Sequence, residues 1–389
     1  MTFKRVFLLI LDSLGVGETT DALNYNSVGA NTLKHINDNE NLFVPNLEKI
    51  GFMNTINLEE NNEVDAYYTI AHPINEGIDS LSGHYEIMGV KNEIPFETFS
   101  NAFDTNLLEK IASITGRRII GNVCCTNDKI IKDLGDNEKA YASLIIYTSG
   151  DSNMQIAAHE DAIPMSTLYD YADKIKEFLD KNQLNVSRVI ARPFTGTNST
   201  NYRFIKNAKK EFVTVPPNKT LLNELQEKKL EVIGIGKVND IFPKESINKK
   251  IKALSNNEGV NKLLDIMEKD FTGLCLVNLS DFDEIYGHNR DIAGYAKAIE
   301  EFDVNIPIIL NKLNIDDLLI ITADHGCDPT FTGYAHTREN VPVIIYSRNF
   351  KEPKRLEELN TLGDIAATIR DNFDLDDTTI GISFLDKLK

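Results

Sequence analysis

Three short apolar runs of the sequence end at acidic residues, and histidines follow two of them. The runs and the residues behind them are 5–11 with Asp12, 273–279 with Asp283 and His288, and 318–323 with Asp324 and His325. A further histidine, His336, follows the third run. Carboxylate and imidazole groups are ligands for Zn2+, Mn2+ and Fe2+. A single Asp-His pair is also compatible with a turn cap, but its repetition at several run ends predicts a divalent metal site.

The runs also predict the elements that position these residues. Each run is short, rich in Leu, Ile and Val, and bounded by polar residues or Gly. This pattern is typical of a parallel strand that is buried on both faces. In open α/β sheets, ligands bind beyond the carboxyl ends of the strands. The sequence therefore predicts an α/β fold with a mainly parallel central sheet flanked by helices, and the acidic residues meet at one edge of that sheet.

The chain has 389 residues, which exceeds the size at which a single core usually divides, so two domains are expected. The segment 97–215 alternates strands and helices without any metal-ligand pattern. We therefore predict an inserted α/β cap domain over 97–215 and a metal-binding core made of 1–96 and 216–389. Predicted helices cover 32–37, 46–50, 85–88, 103–115, 166–182, 221–228, 260–270, 292–313 and 362–373. Further predicted strands cover 64–71, 117–121, 142–147, 186–191, 230–236 and 341–346, and 196–210 is predicted to be a loop.

A polar stretch at 75–89 contains two hydroxyl side chains, Ser80 and Ser82, directly before a helix-prone segment. A serine at this place is a common N-cap, because its oxygen accepts a hydrogen bond from a free backbone N–H. Beside a metal ion, a serine hydroxyl is also a candidate nucleophile. The local sequence is compatible with both interpretations.

Composition excludes several classes of partner. The chain has 41 basic and 59 acidic residues, a net charge of −18, and the acidity is spread along it. This argues against binding to nucleic acid or to an anionic membrane surface. No apolar stretch approaches the length of a membrane span, and the first run is too short for a signal peptide. The four cysteines lack the spacing of a zinc site or a disulfide framework. We expect a cytoplasmic protein that acts on a small molecule.

Taken together, Asp12, Asp283-x4-His288, Asp324-His325 and His336-Thr-Arg-Glu resemble the alkaline phosphatase superfamily of two-metal phosphoryl-transfer enzymes. The segments Gly-Ile-Asp-Ser-Leu-Ser-Gly-His-Tyr-Glu-Ile-Met-Gly at 77–89 and Gln-Ile-Ala-Ala-His-Glu at 155–160 are similar to those of prokaryotic phosphopentomutases. This likeness extends over almost the whole chain, from 3 to 385. It implies an alkaline-phosphatase-like core with an inserted substrate-binding cap.

The resemblance also implies roles for particular residues. One metal would be held by Asp283, His288 and His336, and the second by Asp12, Asp324, His325 and the nucleophilic hydroxyl of Ser80, with Ser82 as the close alternative. The implied substrate contacts are Asp151, Arg188, Ile190, Arg203 and Lys237, with Lys206 as an alternative to Arg203. The implied cofactors are two Mn2+ ions, although the donors also suit Zn2+ and Fe2+, and activation by a sugar bisphosphate.

The implied reaction interconverts ribose 1-phosphate, or 2-deoxyribose 1-phosphate, and the 5-phosphate through a phosphoserine, a step of nucleoside salvage. The chain departs from the family at several positions: Ile78 replaces a lysine, Cys327 an asparagine, Ala335 an aspartate, and 207–212 a basic block. Three alternatives therefore stay open. They are a mutase for another phosphosugar, a metal-dependent phosphatase, and a catalytically inactive metal-binding protein.

Overall fold

The computed structural model describes residues 2–56, 63–92, 94–205, 207–242, 246–333, 335–376 and 380–388. The strands are β1 (Arg5–Leu11), β2 (Tyr67–Ala71), β3 (Ile119–Cys124), β4 (Leu144–Thr148), β5 (Asn153–His159), β6 (Arg188–Thr195), β7 (Arg203–Phe204), β8 (Lys210–Val213), β9 (Glu231–Ile235), β10 (Lys249–Ile251), β11 (Gly273–Leu279), β12 (Asp317–Thr322) and β13 (Val341–Tyr346). The helices are α1 (Thr32–Glu40), α2 (Pro45–Lys49), α3 (Ser80–Ile87), α4 (Thr105–Thr115), α5 (Asn127–Tyr141), α6 (Met165–Lys181), α7 (Leu221–Glu227), α8 (Val238–Ile241), α9 (Asn256–Met267), α10 (Ile292–Lys312) and α11 (Gly363–Asn372).

The chain divides into two compact units. The first comprises Met1–Glu93, Pro216–Thr332 and His336–Lys389, and the second comprises Ile94–Val215 and Gly333–Ala335. No helix among the described residues is both long enough and apolar enough to span a membrane.

The first unit is built on a seven-stranded sheet with the order β10-β9-β11-β1-β12-β13-β2. The five strands β10, β9, β11, β1 and β12 are parallel to one another. Strand β13 runs antiparallel to both β12 and β2. Every residue of β1, β11 and β12 is buried, as expected for strands covered on both faces. The predicted α/β fold, with mixed, mostly parallel sheets flanked by helices, is confirmed.

The register of the central strands determines where the predicted ligands lie. Strand β1 is central, with Leu11 paired to Leu279 of β11 and Ile10 paired to Thr322 of β12. The three carboxyl ends are therefore level at one edge of the sheet. The residues that follow these strands meet at that edge.

The second unit has a six-stranded mixed sheet with the order β3-β4-β5-β6-β7, in which β7 pairs with the end of β6 and β8 pairs with its beginning. Alternate residues of β4 face opposite sides, as the period of two requires. Leu144 and Ile146 pack with residues of α4 and α6, while Ile145 and Tyr147 pack with residues of α5.

Four elements of the second unit differ from the predictions. Helix α5 and strands β5 and β8 have no counterpart among the predicted elements, and the predicted loop at 196–210 contains β7. The sequence of α5 is mostly polar and includes Gly135, which lowers helix propensity. A glycine is needed at this position, because a Cβ at 135 would lie 2.6 Å from the ring of Tyr202.

Candidate metal centre

The first unit brings all of the predicted metal ligands together at the carboxyl edge of its sheet. Asp12 follows β1, and Asp324 and His325 follow β12. Asp283 and His288 come from a π-helical turn, Phe282–Gly287, that begins shortly after β11. His336 lies in the loop before β13. These side chains are buried apart from that of His288, which is partly exposed.

The ligands can be described as two adjoining groups, although Asp283 also lies within 4.8 Å of ligand atoms of Asp12 and His325. In the first, His336 Nε2 lies 3.2 Å from both Asp283 Oδ1 and His288 Nε2, and His288 Nε2 lies 3.5 Å from Asp283 Oδ2. In the second, His325 Nε2 lies 3.4 Å from both Asp12 Oδ1 and Asp324 Oδ2. The rings of His325 and His336 stack with centroids 4.0 Å apart, so the two groups are adjacent.

Several carboxylate oxygens in these groups have no hydrogen bond. Asp12 Oδ1, Asp283 Oδ1 and Asp324 Oδ2 are buried and accept no hydrogen bond of good geometry from any described residue, although imidazole nitrogens lie nearby. A buried charged oxygen without a donor is costly. One such oxygen on each of three converging carboxylates is the arrangement that a divalent cation satisfies. The residues therefore fit a metal centre.

The charge states of the Asp283 and Asp324 side chains also suit a metal site. Burial alone would raise the pKa of Asp283, but His288 and His336 hold it well below its usual range. Burial is likewise outweighed at Asp324, whose pKa is lowered by His325 and His84. These carboxylates are therefore ionised and ready to ligate without releasing a proton.

The two stacked imidazoles are shifted in opposite directions. Burial would lower the pKa of His325, but Asp324 and the other carboxylates raise it to about 10. Burial and the neighbouring His325 lower the pKa of His336. His336 is therefore neutral, as a ligand must be, whereas His325 would exchange its proton for the metal ion.

Ser80 is the first residue of α3, and it is not the cap of that helix. The N-cap is Asp79, whose Oδ1 accepts hydrogen bonds from the backbone N–H groups of Leu81 and Ser82 at 3.0 and 3.1 Å. The Ser82 hydroxyl donates to Asp79 Oδ2 at 2.7 Å. The Ser80 hydroxyl instead lies 3.1 Å from His325 Nε2. The capping interpretation of Ser80 is therefore wrong, and its hydroxyl lies among the candidate ligands.

Close packing holds α3 against the metal centre. Gly83 touches the loop after β12, where a Cβ would collide with the carbonyl oxygen of Asp324. The segment before α3 is held by the buried side chain of Arg338, which donates to the carbonyl oxygens of Pro73, Asn75 and Gly77 at 3.0, 2.7 and 2.8 Å. These contacts hold both the helix that carries the Ser80 hydroxyl and the segment that leads into it.

Lys237, predicted as a substrate contact, lies within the carboxylate cluster itself. Its Nζ is 2.8 Å from Asp12 Oδ2, 3.7 Å from Asp283 Oδ2 and 3.1 Å from Ser80 Oγ. The residue is the N-cap of the short helix α8, two residues beyond β9, and it is buried. Its ammonium group neutralises carboxylates and touches the candidate nucleophile.

Two residues at the site have no role in the predictions made from the sequence. His84 Nδ1 lies 2.8 Å from the Ser80 carbonyl oxygen and 3.0 Å from Asp324 Oδ2, and its Nε2 lies 3.2 Å from Asn278 Nδ2. With Asn278 as donor to Nε2, the His84 Nδ1–H donates to the Ser80 carbonyl oxygen and lies beside Asp324 Oδ2. The four-residue spacing of Ser80 and His84 on one helix face was the available signal. The second residue is Cys327, whose Sγ lies within 4.8 Å of ligand atoms of Asp283 and His336.

The predicted substrate contacts, apart from Lys237, belong to the second unit. Arg188 is buried, and it donates to Asn153 Oδ1 at 2.8 Å and to Glu211 Oε2 at 2.9 Å. Asp151 accepts from the Asn153 backbone N–H at 3.0 Å, so Asn153 links the two predicted contacts.

The other two predicted contacts differ from this pair. Ile190 is buried two residues beyond Arg188 in β6. Arg203 is exposed on β7, where it pairs with Thr195 at the far end of β6. Lys206, the alternative to Arg203, lies outside the described residues.

The parallel sheet and the cluster of carboxylates and imidazoles define a metal-dependent α/β enzyme. The family model of the metalloenzyme superfamily matches residues 4–377, and the chain belongs to that superfamily. Among solved structures, the PH0037 protein from Pyrococcus horikoshii is 14% identical with a TM-score of 0.51, over 98% of this chain and 100% of that one. At this identity the match shows a shared fold.

Two other solved structures match over most of both chains. Phosphoglycerate mutase of Leishmania mexicana is 11% identical with a TM-score of 0.48, over 98% of this chain and 97% of that chain. Alkaline phosphatase from the Antarctic bacterium TAB5 is 12% identical with a TM-score of 0.38, over 96% of this chain and 99% of that chain.

Proposed function

We propose that the protein is a phosphopentomutase, which interconverts ribose 1-phosphate, or 2-deoxyribose 1-phosphate, and the corresponding 5-phosphate through a phosphoserine at Ser80. The observation that carries this proposal is the environment of the Ser80 hydroxyl. It is buried at the start of α3, 3.1 Å from both His325 Nε2 and Lys237 Nζ, among six carboxylate and imidazole side chains. Such a hydroxyl suits the receipt of a phosphoryl group better than a structural role.

In this proposal Asp283, His288 and His336 would hold one Mn2+ ion, and Asp12, Asp324, His325 and Ser80 would hold the other. Bound ions of this kind would neutralise the phosphate and lower the pKa of the attacking hydroxyl. Three carboxylates, two divalent ions and the ammonium group of Lys237 would leave a charge of about +2, which attracts a phosphate dianion.

The residues of the chain perform two transfers in sequence. In the first, Ser80 Oγ gives up the phosphoryl group to a free sugar hydroxyl, and the proton of that hydroxyl passes to Oγ. In the second, Ser80 Oγ bonds to the other phosphorus of the bisphosphate as the sugar O–P bond breaks, and the proton ends on the released sugar oxygen. Lys237 stabilises the charge on the oxygens around Ser80, since its ammonium group contacts the hydroxyl directly. Because positioning and charge neutralisation dominate phosphoryl transfer, this set of groups is sufficient.

Recognition of the sugar phosphate is assigned in this proposal to Asp151, Arg188, Ile190 and Arg203 of the inserted domain. A guanidinium group binds phosphate through paired hydrogen bonds. One nitrogen of Arg188, however, already pairs with Glu211 at 2.9 Å, and both side chains are buried. This observation favours a second candidate, a related mutase for a phosphosugar with a weaker charge at its distal end.

A phosphorus NMR time course tests the proposal. The protein is supplied with Mn2+, ribose 1-phosphate and a trace of glucose 1,6-bisphosphate, and the 1-phosphate, 5-phosphate and free phosphate are resolved together. The expected result is conversion to the 5-phosphate, abolished by Ser80→Ala and retained by Ser82→Ala. Release of free phosphate would instead identify a phosphatase. No change with metal bound, followed by conversion of another phosphosugar, would select the second candidate.

A further inference from the structure

The sulfur atom of Cys327 lies beside the first group of metal ligands. Cys327 Sγ, a nitrogen of His336 and a carboxylate oxygen of Asp283 all lie within 4.8 Å of one another, and all three residues are buried. One oxygen of this group, Asp283 Oδ1, is buried and accepts no hydrogen bond of good geometry from any described residue. The sulfur therefore lies close to the Asp283 carboxylate, which has a buried oxygen without a hydrogen bond.

The backbone and the neighbours of Cys327 fix the position of this sulfur. The Cys327 backbone N–H donates to the Ser13 carbonyl oxygen at 3.0 Å and to Thr32 Oγ1 at 3.1 Å. A Cβ at Gly287 would lie only 3.1 Å from Sγ, so the missing side chain at 287 gives the sulfur its room. Arg290 Nη1 lies 3.1 Å from Sγ and presents an N–H to it.

We propose that Cys327 is a fourth protein ligand at the group formed by Asp283, His288 and His336, and that this group takes a thiophilic divalent cation such as Zn2+ in place of the Mn2+ assigned to it above. The inference rests on the metal centre of the proposed function, but not on its substrate. On binding, the sulfur–metal bond forms and the thiol proton leaves to the solvent.

The geometry and the chemistry of the donors support this assignment. Metal–ligand bonds of about 2.0–2.3 Å place the donor atoms of a tetrahedral site about 3.3–3.8 Å apart. His336 Nε2 and Asp283 Oδ1 are already 3.2 Å apart. Cys327 Sγ lies within 4.8 Å of ligand atoms of both residues, which is at most about 1 Å beyond that range. Two imidazoles, a carboxylate and a thiolate are donors that suit Zn2+, whereas Mn2+ prefers oxygen ligands.

Cobalt spectroscopy tests the proposal without a measurement of turnover. The full-length protein is stripped of metal and titrated with Co2+, because a thiolate bound to Co2+ gives an intense near-ultraviolet charge-transfer band. The expected result is a band in the wild type that is lost in Cys327→Ser, which keeps the size of the side chain but offers oxygen. Cys275→Ala removes a buried thiol from strand β11, away from the ligands, and is the matched control that keeps the band.

Competition binding supplies the second measurement. Cys327→Ser is expected to lower Zn2+ affinity about tenfold or more and Mn2+ affinity by less than about threefold. If Cys327→Ser does not fold, cadmium NMR of the wild type decides, since the chemical shift of the bound ion separates sulfur-containing from nitrogen and oxygen coordination.

The outcomes separate this inference from the proposed function. Absence of the charge-transfer band from wild type that has bound Co2+, or its persistence in Cys327→Ser, overturns the assignment of Cys327. A sulfur–cobalt band in a protein that converts no phosphopentose keeps the ligand and removes the mutase. Conversion of ribose 1-phosphate by a protein without the band keeps the mutase and removes Cys327 as a ligand.

Discussion

The ammonium group of Lys237 forms a buried ion pair with Asp12, with 2.8 Å between Nζ and Oδ2. Asp12 is also a candidate metal ligand, and its other oxygen has no hydrogen bond. The Lys237 ammonium group and a bound metal ion would therefore both interact with the Asp12 carboxylate. The contribution of Lys237 to stability must then depend on whether metal is bound.

Lys237→Met should destabilise the metal-free protein far more than the metal-loaded protein. Removal of one partner of a buried ion pair costs about 3–5 kcal/mol, but bound divalent ions would neutralise the same carboxylates and remove most of this cost. The measurement is the free energy of unfolding with chelator and with saturating Mn2+. Phosphoryl transfer should fall roughly 10–100-fold, since Ser80 loses a cationic neighbour.

The matched control is Lys176→Met in the second unit, where the lysine is also buried and ion-paired, to Asp180. It should destabilise both forms by the same amount. Equal losses with and without metal for Lys237→Met would show that the ammonium group and the metals do not share the carboxylates.

The two serines of α3 should respond differently to removal of the hydroxyl. Ser80→Ala is expected to abolish phosphoenzyme formation, because the Ser80 hydroxyl faces the ligands. Ser82→Ala loses a buried hydrogen bond to the Asp79 carboxylate, which costs about 1–3 kcal/mol of unfolding free energy, and should retain phosphoryl transfer. Phosphopeptide mapping and urea unfolding check these outcomes, and phosphate found on Ser82 alone would refute the assignment.

His84 should act as a positioning residue for Asp324. Loss of an outer partner of a metal ligand typically lowers metal affinity about 10–100-fold, so His84→Leu, which removes the imidazole beside Asp324 Oδ2, should weaken Mn2+ binding by this factor in isothermal titration calorimetry. His84→Asn places an amide N–H near the position of Nδ1 and should restore part of the affinity. His72→Asn removes a half-exposed histidine of the same unit and should have no effect. Identical affinities for His84→Leu and His84→Asn would indicate a packing role alone.

The sequence was sufficient for those parts of the structure that depend on local pattern. The strands β11 and β13 were predicted with the observed bounds, because continuous apolar runs can be buried only inside a covered sheet. The convergence of Asp12, Asp283 and Asp324 followed from the same reasoning, since parallel strands have their carboxyl ends at one edge.

Contacts set by tertiary packing were not predictable in this way. The ion pair of Lys237 with Asp12 forms because β9, β11 and β1 are adjacent in the sheet. The hydrophobic periodicity of a sequence does not determine the order of the strands in a sheet. The position of Cys327 depends on the space left by Gly287. Helix α5 was missed because Gly135, a local signal against helix, is required by the ring of Tyr202 from a distant part of the chain.

A buried acid of the second unit gives a prediction about pH. Burial raises the pKa of Glu138 to about 8, against the His159 backbone N–H, which donates to Glu138 Oε2 at 3.0 Å. Below the ordinary glutamate pKa of about 4.3, the carboxyl is protonated in both the folded and the unfolded chain. Between there and about pH 8, only the unfolded chain gives up the proton, so the folded state binds more protons and the free energy of unfolding falls as pH rises.

Glu138→Gln should therefore remove a pH dependence without removing the shape of the side chain. The variant cannot ionise, so it should match the wild type near pH 4 and exceed its free energy of unfolding by up to about 5 kcal/mol at pH 9. Urea unfolding in chelator, followed by far-ultraviolet circular dichroism, measures the difference at each pH. Glu109→Gln on the exposed face of α4 is the control, and it should leave the difference from wild type constant. Parallel profiles for Glu138→Gln and the wild type would mean that Glu138 is ionised in the folded protein, with its charge balanced by groups other than the His159 amide.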